Sequence, residues 1–136
     1  IIPVITSRTI DTKVRMARLE MIMIEALEQC GGIFLPDLMQ PVTLASCLDS
    51  WPVDRQLIFC DETLSGRGRE QSFPMINRSG QAGILIGPEG GFSGLEAQLI
   101  RQKKSALSLS LGPRILRADT AAVSAISIWQ NMNRNQ

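Results

Sequence analysis

An α/β fold with a mostly parallel sheet flanked by helices is what this sequence predicts, and three observations carry the prediction. Short apolar runs alternate with helical patterns along the chain, the signature of βαβ units. Two of the runs, 56–60 and 82–86, are apolar almost throughout, as strands buried on both faces are. The length of 136 residues, with 44% hydrophobic and 20% charged residues, suits one globular domain with one core.

The elements follow in order. Ile1–Ile5 is a β-branched run broken by Pro3, which predicts a strand end or edge. From Lys13 to Gln29, Met16, Leu19, Met23, Leu27 and Cys30 recur at three- and four-residue steps. Arg15, Arg18, Glu25 and Gln29 lie on a more polar face, so an amphipathic helix is expected, stopped by Gly31-Gly32. Ile33–Leu35 reads as a short strand, and Pro41 leads into a short helix from Leu44 to Ser50. Gln56–Cys60 predicts a buried strand that reaches a site edge at Asp61-Glu62. Residues 63–81, rich in Ser, Gly, Arg and Asn, read as a long mobile loop. Ala82–Ile86 is the next buried strand. Ser93 and Glu96 form a capping box that opens a helix to about Lys104. Leu107, Leu109 and Leu111 alternate on one face of a strand over 106–111. Asp119 or Thr120 caps a last helix, Ala121 to about Asn133, with Ala122, Ala125, Ile126 and Trp129 on a stripe suited to a second copy of the chain.

The sequence also excludes much. It contains no His, which removes Ser-His-Asp and Cys-His catalysis and HExxH zinc sites, and no metal is expected. Cys30, Cys47 and Cys60 are odd in number and without a CxxC pair, so they read as packing residues of a reduced, cytoplasmic protein. No apolar run approaches the roughly 18 residues that span a bilayer. The N-terminus lacks an initiator Met and reads as a chain joined in mid-domain. Net charge is +1, but residues 101–136 hold six Lys/Arg against Asp119 alone. That basic end suits phosphates, or simply a solvated helix face around Arg101, Lys103 and Lys104.

Two loops stand out, Gly87–Ser93 and Leu111–Thr120, each after a predicted strand. Ligands of open α/β sheets sit beyond the carboxyl ends of strands, where glycine lets them approach the backbone. The spacing is neither GxxxxGK[ST] nor GxGxxG, and Glu89 would repel a phosphate; a neutral or cationic ligand fits better.

Taken together, ILIGPEGGFSGLE, LSLGPRILRADTAA and the upstream EALEQCGG resemble the SPOUT methyltransferases, and within them the enzymes that methylate N3 of a uridine in small-subunit (16S) ribosomal RNA. The resemblance covers about Pro3 through Gln130. It implies a deep trefoil knot at the C-terminal side and S-adenosylmethionine held by backbone atoms of Phe59–Glu62, Ile86–Gly91 and Leu111–Leu116. The cofactor residues it implies are Phe59, Asp61, Ile86, Gly87, Glu89, Gly90, Gly91, Leu111, Gly112, Ile115 and Leu116. It places Arg114 and Arg117 in catalysis, and Arg8, Gln29 and Arg114 against RNA; with no His, Glu89, Asp119 or water is left to take the N3 proton, and Glu89 also suits the positive sulfonium. For Arg114 and Arg117 the alternative is an ion pair with Glu89 or Asp119, for Arg8 ordinary surface, and for Gln29 a helix cap. The implied partners are small-subunit ribosomal RNA, or the assembled subunit, and a second copy of the chain.

The chain also departs from that pattern. Residues 1–136 read as a methyltransferase domain incomplete at its N-terminus, without the family's N-terminal PUA-like RNA-binding barrel. Gly32 stands where the family shows an arginine, and Asp119 where it shows Glu. A non-catalytic knotted module that binds cofactor or RNA is the other function these motifs allow.

Overall fold

The computed structural model describes residues 1–66 and 81–134. Five strands and four helices appear among them: β1 (Val4–Ile5), α1 (Met16–Gln29), β2 (Val42–Thr43), α2 (Leu44–Asp49), β3 (Gln56–Cys60), β4 (Ala82–Leu85), α3 (Gly94–Gln102), β5 (Ala106–Leu109) and α4 (Ala118–Arg134). Every strand pair is parallel. A three-stranded sheet runs β4-β3-β5, and β1 pairs with β2 in a separate two-stranded ribbon.

The continuous apolar run of β3 is explained by its central place. Leu57, Ile58 and Phe59 are buried because the strand has a neighbour on each edge and a packed layer on each face. One face carries Leu57, Phe59 and Leu85 against Leu44 and Leu48 of α2 and Ala97 and Ile100 of α3. The other carries Ile58 and Leu109, with Ile84, Leu107, Leu111 and, from α4, Trp129 and Met132 packed on them. The alternation of Leu107, Leu109 and Leu111 thus marks the α4 side of β5. Gly83 in β4 is the seat of Trp51: a Cβ there would collide with the indole, whose Nε1 donates to the Arg55 carbonyl at 2.8 Å.

Caps explain two helix starts. Thr43 accepts from the Ser46 N–H at 3.2 Å to open α2. Ser93 accepts from the Glu96 N–H at 3.3 Å, while the Glu96 carboxylate accepts from the Ser93 N–H at 2.9 Å, completing the predicted box. α1 stops as expected, at Gly31 in the left-handed region (φ +64°), with the Gly32 N–H returning to the Leu27 carbonyl.

Several expectations are corrected. Ile33–Leu35 forms no strand; it is exposed, with a bend at Ile33 and no partner strand beside it among the described residues. The strand that does follow α1 is β2, too short at two residues for its period to show. α1 begins at Met16, not Lys13, and α4 begins at Ala118, where the Ala121 N–H donates to the Arg117 carbonyl at 2.7 Å. Asp119 therefore lies in the first turn of α4, not at its cap. Ala125 and Trp129 face inward, leaving Val123 and Ile126 as the exposed apolar residues of that helix. Most of the predicted 63–81 loop, residues 67–80, lies outside the described residues; Glu62–Leu64 at its start forms a 3-10 turn.

Candidate active site

The carboxyl ends of β3, β4 and β5 open onto one cleft of about 220 Å³. Its wall comes from three stretches of chain, 60–65, 86–92 and 109–121, so the loops singled out in the sequence do converge. Among the expected cofactor residues, Asp61, Ile86, Gly87, Glu89, Gly91, Leu111, Ile115 and Leu116 line it. Phe59, Gly90 and Gly112 do not. Phe59 is buried in the core in an edge-to-face contact with Phe92, ring centroids 5.3 Å apart. Gly90 turns outward, where the Arg8 guanidinium donates to its carbonyl at 2.8 Å and the Arg8 stem covers its Cα.

Of the residues expected in catalysis, Glu89 and Arg117 reach the wall; Arg114 and Asp119 lie outside it. Arg117 is 3.8 Å from Asp119, and both side chains are largely in solvent, so this ion pair holds the guanidinium only loosely. Hydrogen bonding from the Thr120 N–H, with Arg117 nearby, lowers the Asp119 carboxyl below its ordinary value. Gln29 is exposed at the last position of α1, outside the wall.

The first wall is set by Asp61, whose carboxylate is almost wholly removed from water. One oxygen accepts from the Thr63 N–H (3.1 Å) and hydroxyl (2.7 Å). The other accepts from Nε (2.8 Å) and Nη2 (2.6 Å) of Arg101. Arg101 also stacks over the Phe59 ring at 5.9 Å and donates to the Thr63 hydroxyl. The sequence reading of Arg101 as a solvated helix residue is thus corrected: α3 delivers it to a buried partner. With both oxygens engaged inside the protein, Asp61 fixes the shape of this loop at the cleft.

Beyond the stretches 59–62, 86–91 and 111–116 expected from the sequence, the wall also takes in Ser65, Phe92, Leu109, Ala118 and Ala121. Glu62 lies in the first of the expected stretches, at the site edge read after the buried strand, and it does line the wall. Ala118 and Ala121 had no signal in the sequence, because their place depends on α4 starting early. Burial pushes the Cys60 thiol up to about 11, and Cys47 is raised for the same reason, which suits packing residues; Cys30 is exposed. Among the described residues no group of His, Cys, Asp and Glu could hold a metal ion, and no helix is long and apolar enough to cross a membrane.

Comparison with known proteins bears on this cleft. The family model for the RNA methyltransferase domain matches residues 1–130. A Rickettsia conorii protein named ribosomal RNA small subunit methyltransferase E is 34% identical over 93% of this chain and 51% of its own length. Its Aquifex aeolicus namesake is 29% identical over 96% of this chain and 56% of its own. The chain therefore spans about half the length of these curated relatives. A crystal structure of the Neisseria gonorrhoeae protein of the same name, bound to S-adenosyl methionine, superposes with a TM-score of 0.81 at 31% identity, covering 96% of this chain and 53% of that one.

Proposed function

Because this chain belongs to the RNA methyltransferase domain family, we propose that it is the cofactor-binding part of an S-adenosylmethionine-dependent enzyme that methylates N3 of a uridine in small-subunit ribosomal RNA. The observation that carries the reading is the convergence of three strand-end loops on one cleft whose wall is apolar at Ile86, Leu109, Leu111, Ile115 and Leu116. Such a slot suits an adenine that hydrogen-bonds to main chain, so the lack of His costs nothing. The fit is supported by the backbone itself: Gly87 and Gly91 bring the main chain to the cleft without side chains of their own.

Bound there, S-adenosylmethionine supplies an electrophilic methyl group. The protein contributes position and charge. The loops at 60–65, 86–92 and 109–121 orient the ligand and exclude water from its apolar part. Arg117, in the wall and only loosely paired, is placed to favour a uracil that loses its N3 proton, and Arg114 on the same loop to hold RNA phosphate. The N3 proton passes to Glu89 in the wall, to Asp119 beside Arg117, or to water. Arg8, bonded to the Gly90 carbonyl, and Gln29, exposed at the end of α1, are the further residues assigned to RNA.

The trefoil knot belongs to the same proposal. What supports it is the path of the chain: β5 sits at one edge of the sheet, and α4, which follows it, packs across the face formed by Ile58 and Leu109 and reaches β4 at the other edge. Between them, residues of the 110–117 segment line the cleft at the carboxyl ends of the strands. A homodimer, a preceding barrel domain that binds RNA and a cytoplasmic location complete the reading. The exposed apolar residues of α1 and α4 support the dimer, and the three free thiols support the compartment.

The test is mass spectrometry of small-subunit ribosomal RNA after incubation of unmodified subunits with S-adenosylmethionine and the complete protein. N3-methyluridine at one position is expected. Cofactor binding without any methylated uridine would overturn the enzyme reading in favour of a knotted binding module.

A further inference from the structure

The geometry points to Glu62 as the residue by which the cleft senses charge, favouring a positively charged methyl donor over the neutral thioether left when the methyl is gone. This rests on the reading of the cleft as an S-adenosylmethionine site. Four charged side chains reach the wall: Asp61, Glu62, Glu89 and Arg117. Asp61 is neutralised within the protein, since Arg101 and Thr63 occupy both its oxygens. Glu89 is exposed on its turn, where water screens it, and Arg117 is exposed and carries the opposite sign. Glu62 alone of the four is both half-buried and, among the described residues, without a hydrogen bond or ion pair for its carboxylate.

Its position is built rather than accidental. The Asp61 side chain caps the 3-10 turn Glu62–Leu64 by accepting from Thr63, and Arg101 anchors that cap to α3. The turn sends the Glu62 side chain across the cleft to the second loop, where it lies directly on Gly91. A Cβ on residue 91 would collide with the carboxylate, so the glycine leaves the space that the acid fills. A carboxylate drawn partly out of water beside an apolar wall lacks a counter-charge, and a cationic ligand provides it. The donor carries a sulfonium; its product does not, so only the donor gains from this field.

The field acts on the bound donor and fades as the positive charge is lost during transfer. Interactions of that kind tighten binding without speeding the chemical step. Glu62 is therefore a binding and specificity residue, and its removal should separate KM from kcat.

Calorimetric titration of the intact protein with S-adenosylmethionine and, separately, S-adenosylhomocysteine tests this. Glu62→Gln should weaken the sulfonium compound about five- to tenfold, as expected for one unit charge removed at short range from a partly screened site. Binding of the thioether should change less than about twofold, and KM for the donor should rise with kcat unchanged or higher. Glu62→Asp, which keeps the charge, should retain the preference. Should either variant fold poorly, the wild type still decides: its affinity for the sulfonium compound should fall more steeply with salt than its affinity for the thioether. Equal weakening of both ligands, parallel salt slopes, or a larger change in the affinity ratio on Glu89→Gln would overturn the assignment. A wild-type protein that binds neither compound would overturn the cofactor reading itself.

Discussion

At Gly91 two constraints meet. Its φ of +64° lies in the left-handed region, and the Glu62 carboxylate occupies the space a side chain would need. Gly91→Ala is therefore expected to cost about 1–2 kcal/mol from the backbone conformation alone. It should also displace Glu62, so the loss of S-adenosylmethionine affinity should exceed what the change in denaturant midpoint explains. Thermal melts and ligand titration on the same variant check both parts. The cysteines give a second prediction at this scale. Cys30 is exposed, whereas burial holds the Cys60 thiol near 11 and raises Cys47. A thiolate is the reactive form, so titration with a thiol reagent at neutral pH should show one fast group. Cys30→Ser should abolish it.

At the scale of elements, the start of α3 is tied to the far N-terminal segment. Ser7 donates from its N–H and its hydroxyl to the Glu96 carboxylate, both at 2.7 Å, on top of the capping box with Ser93. Partial burial raises the Glu96 carboxyl, but the donors from Ser7 and Ser93 outweigh it and bring it down to about 2. A lowered carboxyl stabilises the fold above its ordinary value, and that contribution is lost as pH falls toward about 2. The stability gap between wild type and Glu96→Gln should thus be flat near neutrality and close between about pH 4.5 and pH 2, followed by circular dichroism during denaturant unfolding. Ser93→Ala should cost about 1 kcal/mol as a lost cap. The Arg101–Asp61 pair is a heavier case, because removing the cation leaves a buried carboxylate alone. Arg101→Ala is expected to cost about 2–3 kcal/mol, below the usual figure for a fully buried pair because Arg101 is 41% exposed.

These elements also show how far sequence reasoning reaches. The apolar run 56–60, the Ser93–Glu96 box and the Leu107–Leu111 alternation were legible because each signal is local: burial on two faces, a cap and a period of two. The convergence of the glycine loops was legible through the motifs at 87–91 and 111–117. The Asp61–Arg101 pair was not, since Arg101 sits in a run of basic residues and nothing local says that α3 turns it inward. Nor was the outward turn of Gly90, which depends on Arg8 arriving from the other end of the chain.

For the molecule as a whole, the apolar surface is informative. The described residues leave several large apolar side chains in solvent. They include Met21 and Ile22 of α1, Phe34 beyond it, and Val123 and Ile126 of α4. Exposed apolar side chains in this number are what an interface would cover. Sedimentation at micromolar concentration should show a dimer, and Ile126→Glu should shift it toward the monomer; a purely monomeric wild type would remove the dimer from the proposal.

The parallel topology has a consequence in time. Val4 pairs with Val42, Gln56 with Ala82 and Leu57 with Ala106, so no two paired strands are neighbours along the chain through a tight turn. Nothing resembling a hairpin can nucleate the sheet, and each pairing must first close a long loop, which slows folding. The cleft, which needs all three central strands in register, is then among the last features to assemble. Refolding followed by cofactor binding should accordingly lag behind refolding followed by helix content, and a newly made chain would pass through a stage that is largely helical and still unable to hold its ligand.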